Sequence, residues 1–411
     1  MTLSEDLAWR GLIKDKTFGD AKWLDKPRTF YHGVDAASSD SMTIGNLAAM
    51  LMARRLIDAG WQAVLLAGGA TSLIGDPKDT QERELKPRQE VESNVKAIKV
   101  QINQLFAGKK YTLVDNYDWF KDVGYLEFLR EVGKSFAMSE LMQREFITER
   151  LTSGISYAEF SYSLIQGYDY WQLYKKHGVV LQIGGSDQWG NMLSGVSLIR
   201  KKEAKDVHAL SMPLVVNKAT GRKFGKSESG AIWLDAAKTS VYKFYQFWYN
   251  TPDEDVTDYL KVFSLLSRDE IESLAAEQKR NPGGRPAQKR LALEVTSVVH
   301  GADQAKKQAK IAGALFGEGS IDDLSPAELA TVRAEIPSQK VQPGSSVIEA
   351  LVATGLAVSN SEGRRLLQSK AVYVNGEPFD KAHLDAKDFK NGRLLLRRGK
   401  AFKDSALVEL A

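Results

Sequence analysis

The segment Thr29-Phe30-Tyr31-His32-Gly33-Val34 reads as a buried strand, and its neighbours on the C-terminal side decide what fold it belongs to. Leu47, Met50, Leu51 and Ile57 follow at helical spacing, and Gly60 stands where a left-handed cap can end that helix. Residues 63–67 read as a second buried strand, 111–114 as a third and 179–183 as a fourth, each followed by residues that favour turns and helix starts. Strands alternating with helices in this way predict a Rossmann-like, doubly wound α/β fold with a parallel sheet. Between the third and fourth strands, residues 125–150 are rich in Leu, Phe, Met and charges. They read as part of a helical connective insertion, about 117–160, and as a possible subunit contact.

Beyond residue 235 the pattern turns almost wholly helical as far as 316, with many aromatics in 243–249 and a Pro/Gly break at 281–286. Gly317, Gly319, Pro326 and the pair Pro343-Gly344 are linker signals. After them come two short helices, 347–354 and 361–368, and a strand at 371–374 that runs into Asn375-Gly376, a strong hairpin signal. The expected division is an α/β catalytic domain over 1–232, an α-helical domain over 233–325, a linker over 326–345 and a small α+β domain over 346–411.

Composition limits the function. The chain of 411 residues, 43% hydrophobic, is long enough for a sizeable core and for two to four domains. No stretch approaches the about 18–20 apolar residues of a membrane span, and residues 1–10 include Glu5 and Asp6 without an apolar core. A cytoplasmic protein without membrane attachment is expected. The absence of cysteine excludes disulfides, thiol catalysis and zinc–thiolate sites. His32, His177, His208, His300 and His383 fall at no metal-ligand spacing, so no metal held by the protein is expected. The net charge of +4 arises entirely after residue 339, where 12 Lys and Arg face 8 Asp and Glu. Such a basic tail either meets phosphate backbones or forms an ordinary solvated surface.

Two short motifs carry chemistry. Lys223-Phe224-Gly225-Lys226-Ser227, flanked by Gly221 and Gly230, sets two ammonium groups three residues apart on a loop that glycine allows to move. Such a loop can clamp a polyphosphate as charge develops on its leaving oxygens. Thr43-Ile44-Gly45-Asn46 stands directly ahead of the first helix, whose free amides and dipole favour an anion. Each also has a plain reading, a lysine-rich surface loop and an ordinary threonine N-cap.

In this order the two motifs resemble the His-Ile-Gly-His and KMSKS signatures of class I aminoacyl-tRNA synthetases. Gly68-Gly69-Ala70-Thr71-Ser72-Leu73-Ile74-Gly75-Asp76-Pro77, Asn116-Tyr117-Asp118-Trp119, Phe160-Ser161-Tyr162 through Gln166-Gly167-Tyr168-Asp169, and Leu181-Gln182-Ile183-Gly184-Gly185-Ser186-Asp187-Gln188-Trp189-Gly190-Asn191 narrow the likeness. The chain resembles bacterial-type tyrosyl-tRNA synthetases from about Leu12 to its C-terminus. Tyr162, Gln166 and Asp169, four and three apart, also project from one helix face, which suggests a pocket or a solvent-facing polar stripe.

The resemblance implies tyrosine activation by ATP, with transfer to tRNA(Tyr). It places Tyr162, Gln166 and Asp76 on the ammonium end of L-tyrosine, Tyr31 and Asp169 on the phenol, Thr71 and Asn116 behind Asp76, and Gln182 and Gln188 also in the tyrosine site. For ATP it implies Gly33 and Asp35 after the first strand, Thr43, Gly45 and Asn46 at the helix start, and Gly185, Asp187 and Gln188 around the ribose. Leu214 and Val215 flank the adenine or belong to the core. Lys223, Lys226 and Ser227 reach the triphosphate, with Arg83 as helper. Magnesium is expected to arrive with ATP. The tail resembles a ribosomal-protein-like RNA-binding domain, through Ser361-Glu362-Gly363-Arg364-Arg365-Leu366-Leu367 and Ala371-Val372-Tyr373-Val374-Asn375-Gly376, with Arg364, Arg365 and Lys370 as phosphate contacts. The helical domain takes the anticodon side, and the family implies a homodimer.

Two departures stand out. Thr43 and Asn46 replace the signature histidines, and Ala36-Ala37-Ser38-Ser39-Asp40 replaces the family's Pro-Thr-Ala-Asp with one extra residue. Asparagine donates as a neutral imidazole does, whereas threonine is shorter and cannot carry charge. A triphosphate contact rebuilt around Ser38, Ser39 or Thr43 is therefore expected. A tryptophanyl-type enzyme and a non-catalytic RNA-binding paralogue are the alternatives.

Overall fold

The computed structural model describes residues 1–77, 84–142, 147–148, 154–216, 226–227, 230–316, 319–399 and 404–411. The chain divides into two compact units, Met1–Ser240 with Thr251–Leu291, and Val241–Asn250 with Ala292–Ala411.

The first unit is built on a six-stranded sheet. Its elements are β1 (Asp15–Lys16), β2 (Thr29–Asp35), α1 (Ile44–Asp58), β3 (Gln62–Gly68), α2 (Arg88–Leu105), β4 (Thr112–Asp115), α3 (Tyr157–His177), β5 (Leu181–Gly185), α4 (Trp189–Glu203) and β6 (His208–Met212). The strand order is β1-β6-β5-β2-β3-β4, and every pairing is parallel except that of β1 with β6. Succession runs outward from β2 through β3 to β4 on one side and from β5 to β6 on the other. The junction of β2 and β5 is thus a topological switch point, where crossover helices leave a crevice at the carboxyl ends of the strands. The register sets Tyr31 level with Gln182 across that junction.

Local chemistry explains the helices beside the crevice. Thr43 occupies the N-cap of α1, and its backbone N–H donates to Asn46 Oδ1 at 2.9 Å. α3 starts at Ser156, whose hydroxyl accepts from the Glu159 N–H at 3.2 Å. It ends with Lys175, Lys176 and His177 near its negative pole and with Gly178 at φ +63°, the left-handed cap that only glycine adopts without strain. α3 and α4 pack closely because Gly167 faces Ser194 and Gly195 faces Tyr170. Far from the cap, α1 is tied to the helix α5 (Val256–Phe263). Buried Arg55 donates to the carbonyls of Lys261, Val262 and Ser264, and Arg10 donates to Lys261 and Leu266. Burial, together with the charge of Arg10, lowers the Arg55 pKa to about 9.

Among the described residues, the insertion expected as one helical stretch is broken into Tyr125–Glu131, a 3-10 turn at Gly133–Ser135 and Met138–Leu141.

The second unit contains α6 (Ala302–Phe316), α7 (Pro326–Glu335), α8 (Val347–Ala353), α9 (Asn360–Gln368) and a sheet ordered β11-β10-β12-β13-β9. Its strands are β9 (Ser338–Val341), β10 (Val372–Val374), β11 (Glu377–Pro378), β12 (Arg393–Arg398) and β13 (Ser405–Leu410). Period-two alternation in β12 sends Leu394 and Leu396 into a core with Val347, Leu351 and Val372, and Leu395 into a second core with Ile311, Leu315 and Val332. Asn375 and Gly376 have φ of +52° and +90°, as the tight hairpin between β10 and β11 demands. The stretch 326–345, expected as a linker, instead holds α7 and β9, and β9 joins the sheet parallel to β13. Pro326 sits at the first turn of a helix capped by Ser325 and Glu328, a position where proline favours helix rather than breaking it.

Replacing Gly178 by alanine keeps the sequence helical but forces a Cβ into the left-handed region. The expected cost is about 1 kcal/mol, read as a lower urea midpoint for the first unit.

Candidate active site

At the switch point lies a cavity of 340 Å³. One wall is the carboxyl end of β2, with Tyr31, Gly33 and Asp35. The N-terminus of α1 contributes Thr43, Gly45 and Asn46, and the turn after β3 contributes Thr71 and Asp76. α3 presents Tyr162, Gln166 and Asp169, and the β5 end presents Gln182, Gly185, Asp187 and Gln188. Leu214 and Val215 close the far side. His32, Ile183, Met192 and Met212, which the sequence did not single out, also line it. They lie on buried strands and helices whose apolar character gives no sign of which side chains border a void.

Asp169 lies in the wall, fully buried. Its Oδ2 accepts from Asn116 Nδ2 at 3.0 Å and its Oδ1 from Trp119 Nε1 at 2.9 Å. Burial pushes the carboxyl up to about 7, against the pull of these two donors. Among the described residues the buried Tyr31 hydroxyl has no hydrogen-bond partner, and burial together with the Asp169 charge raises its pKa well above the usual value. Gln182 Oε1 is likewise buried and unpartnered. Buried polar atoms are almost always hydrogen-bonded in folded proteins. Two unpaired ones in the wall of a single cavity therefore mark it as built for a polar ligand.

Asp76 is held differently. Gln188 Nε2 donates to its Oδ2 at 2.7 Å and Asn191 Nδ2 to its Oδ1 at 3.0 Å. Burial raises its pKa to about 6; the two amides oppose that shift, and the charges of Asp35 and Asp187 add to it. The Asp76 carboxylate gives this end of the cavity a negative charge suited to an ammonium group. The support expected behind Asp76 from Thr71 and Asn116 is not found. The Asn116 amide nitrogen spans Thr71 Oγ1, at 3.0 Å, and Asp169, while its Oδ1 accepts from the Ala70 N–H at 2.6 Å. Asn116 sits at the end of β4, level with the inward turn of α3, and so braces the Asp169 carboxylate. Trp119 and Asn191 are the supporting residues that sequence reasoning missed. Both stand in the quoted motifs, Trp119 three residues after Asn116 and Asn191 three after Gln188, at a spacing that could have pointed to shared faces.

At the other end, Asp35 Oδ1 accepts from Ser72 Oγ at 2.6 Å and from the Ala37 N–H at 2.9 Å. A Cβ at Gly185 would stand 2.6 Å from Asp187 Oδ1, so a side chain there would push the Asp187 carboxylate aside. Thr43 Oγ1 lies 3.2 Å from Asn46 Oδ1, so the Asn46 oxygen is engaged by the cap and its amide nitrogen is the group left to donate. Ser38 and Ser39 are not among the residues lining the cavity. The Ser39 hydroxyl donates to Asp40 and accepts from the Ser41 N–H, and the Ser38 carbonyl accepts from Lys86. Of the three positions expected to rebuild the triphosphate contact, the cavity reaches Thr43 alone.

Arg83 and Lys223 lie outside the described residues, as do the side chains of Lys226 and Ser227. The backbone of Lys226–Ser227 forms β7, paired with β8 (Gly230–Ala231). The chain then runs straight to the start of α1, where the Ile44 N–H donates to Ile232 O at 3.1 Å and the Leu234 N–H to Met42 O at 2.9 Å. The lysine loop is thus rooted on the helix terminus that borders the cavity.

A parallel sheet whose switch point opens beside a capped helix N-terminus, with the strand that follows the lysine motif paired to that terminus, is the arrangement of the catalytic domain of class I aminoacyl-tRNA synthetases. The family described as tRNA synthetases class I (W and Y) matches residues 24–317, and a tyrosine–tRNA ligase C-terminal domain matches 328–403. The chain belongs to the bacterial tyrosine–tRNA ligase family. It is 43% identical to the tyrosine–tRNA ligase of Streptomyces avermitilis over 99% of this chain and 98% of that one, and 44% identical to that of Geobacillus kaustophilus over 97% and 98%. Among solved structures, a C-terminally truncated mitochondrial tyrosyl-tRNA synthetase of Aspergillus nidulans aligns with a TM-score of 0.67 at 31% identity, covering 75% of this chain and 92% of that one. A tryptophanyl-tRNA synthetase of Encephalitozoon cuniculi shares the fold, with a TM-score of 0.54 at 15% identity, covering 75% and 89%.

The raised carboxyl of Asp169 makes stability depend on pH. Its folded pKa, about 7, lies above the ordinary 3.8, so the folded state holds the extra proton between those values and loses stability as pH rises through them. In urea titrations of the ligand-free protein, the stability of Asp169→Asn relative to the parent should climb from about pH 4 to about pH 7 and level off above. A difference that stays flat across that range would contradict the buried-carboxylate account.

Proposed function

We propose that this chain activates L-tyrosine with ATP, giving tyrosyl-adenylate and pyrophosphate, and then transfers the tyrosyl group to tRNA(Tyr). The observation that carries the reading is the unpaired Tyr31 hydroxyl in the same cavity wall as buried Asp169. A substrate phenol between them donates to the carboxylate and accepts from Tyr31, and so satisfies both groups. An indole brings a single N–H donor and no acceptor, which would leave Tyr31 unpaired. Tyr162, Gln166 and Asp76 take the ammonium end, with Gln182 and Gln188 beside it and Asn116 and Thr71 bracing the phenol side. Gly33, Asp35, Gly185, Asp187 and Gln188 receive the ribose and adjoining groups, and Leu214 and Val215 receive the adenine.

No side chain needs to act as a nucleophile. The tyrosine carboxylate attacks the α-phosphorus, and the α–β bridging oxygen departs with pyrophosphate. The rate comes from alignment and from stabilising the charge that grows on the leaving group. Thr43, Gly45 and Asn46 supply donors at the positive end of α1, and Lys223, Lys226 and Ser227, with Arg83, close over the phosphates. Magnesium enters as part of the nucleotide substrate. A terminal ribose hydroxyl of the transfer RNA then attacks the activated carbonyl, and AMP leaves.

On this reading residues 1–232 are catalytic, 233–325 take the anticodon side, and 346–411 bind RNA through Arg364, Arg365 and Lys370, all of which are exposed. The enzyme works in the cytoplasm as a homodimer. In support of the dimer, Tyr125, Leu126, Met138, Met142 and Tyr157 form a run of exposed apolar side chains within the insertion, with Leu126 at 74% exposure.

Pyrophosphate exchange into ATP, run separately with tyrosine, tryptophan and phenylalanine, should respond to tyrosine alone. Exchange with none of them would indicate a non-catalytic RNA-binding paralogue. Thr43→His should leave adenylate formation unchanged or raise it, and a large loss would contradict the roles given to α1. Replacing Tyr125 and Leu126 together by aspartate should convert a dimer to a monomer in sedimentation equilibrium; a parent protein already monomeric would refute the assembly.

A further inference from the structure

The phenol end of the cavity depends on residues that do not line it. With its hydroxyl unpartnered, the Tyr31 ring has no hydrogen bond to set its orientation, and packing alone must do so. Among the described residues the ring that packs on it is Tyr170, edge-on, with centroids 5.1 Å apart and planes inclined at 62°. Tyr170 follows Asp169 on α3, is fully buried, and is pinned at its far end by a 2.7 Å hydrogen bond from its hydroxyl to the His208 carbonyl on β6. Its near end has almost no freedom. A Cβ at Gly195 of α4 would fall 2.6 Å from both Cβ and Cδ1 of Tyr170, and these atoms next to the backbone cannot swing aside.

We propose that Tyr170 and Gly195 are positioning residues for tyrosine recognition: Gly195 leaves the space that seats Tyr170, and the edge of Tyr170 holds the Tyr31 hydroxyl where it and Asp169 grip one phenol. This rests on the reading that Tyr31 and Asp169 receive the substrate phenol. Edge-to-face pairs favour one geometry over others, and a buried hydrogen bond to a charged site loses most of its value when one partner is misplaced. Plain core packing would cost stability when disturbed and would affect both substrates alike. A positioning role separates tyrosine from phenylalanine.

The test measures kcat/KM for adenylate formation with tyrosine and with phenylalanine, KM for ATP, and thermal unfolding. Tyr170→Leu should lower the tyrosine-over-phenylalanine ratio by about tenfold or more through a raised KM for tyrosine, with KM for ATP within about twofold of the parent. Tyr170→Phe, which keeps the ring, should retain most of the ratio. Gly195→Ala should lower it, yet lower it no further in the Tyr170→Leu background, because the two act through one contact. Tyr31→Phe is the control. If it leaves the ratio unchanged, the phenol reading itself fails. If it lowers the ratio while Tyr170→Leu and Gly195→Ala do not, the positioning inference alone is overturned. Equal rises in KM for tyrosine and ATP that track lost stability would also overturn it. Should Tyr170→Leu fail to fold, Tyr170→Met and Gly195→Ala carry the same readout.

Discussion

Everything in the catalytic unit is arranged around one costly act, keeping the Asp169 carboxylate out of water. An isolated buried carboxylate is strongly unfavourable, and only donors aimed at it make it tolerable. Asn116 from the end of β4 and Trp119 from the turn beyond it supply two. They bring the far edge of the sheet and the helix α3 to one point. The carboxyl nonetheless remains pushed up to about 7, so desolvation outweighs the two donors and a further partner is still favoured.

The N-terminus of α1 contributes backbone groups to another part of the cavity wall. Unpaired amides at the start of α1 exist in any helix. Here the cap between Thr43 and Asn46 fixes their direction, and the strand returning from the lysine hairpin pairs with residues 42–44. Arg55 holds the distal end of α1 against the carbonyl end of α5, so the helix that presents the amides is fixed at both ends.

The small C-terminal sheet follows a separate logic. Its central strand β12 is apolar on both faces and lies between two cores, the second of which takes in Leu329 and Val332 of α7. This is why a stretch with the composition of a linker is ordered. Pro326, which reads as punctuation, instead begins a helix.

The sequence by itself determined the alternation of strands and helices, the cap at Thr43 and the left-handed Gly60 after α1, the face shared by Tyr162, Gln166 and Asp169, and the family. All of these depend on residues close together in the chain, where spacing of 2 or 3.6 residues fixes direction. It misassigned Asn116 to Asp76 and overlooked Trp119, Asn191 and Tyr170. Only the tertiary structure decided those, because strand order sets which distant side chains meet. The β4 end reaches α3 through a sheet whose neighbours are not neighbours in sequence, and the gap at Gly195 that seats Tyr170 exists only once α3 and α4 have packed.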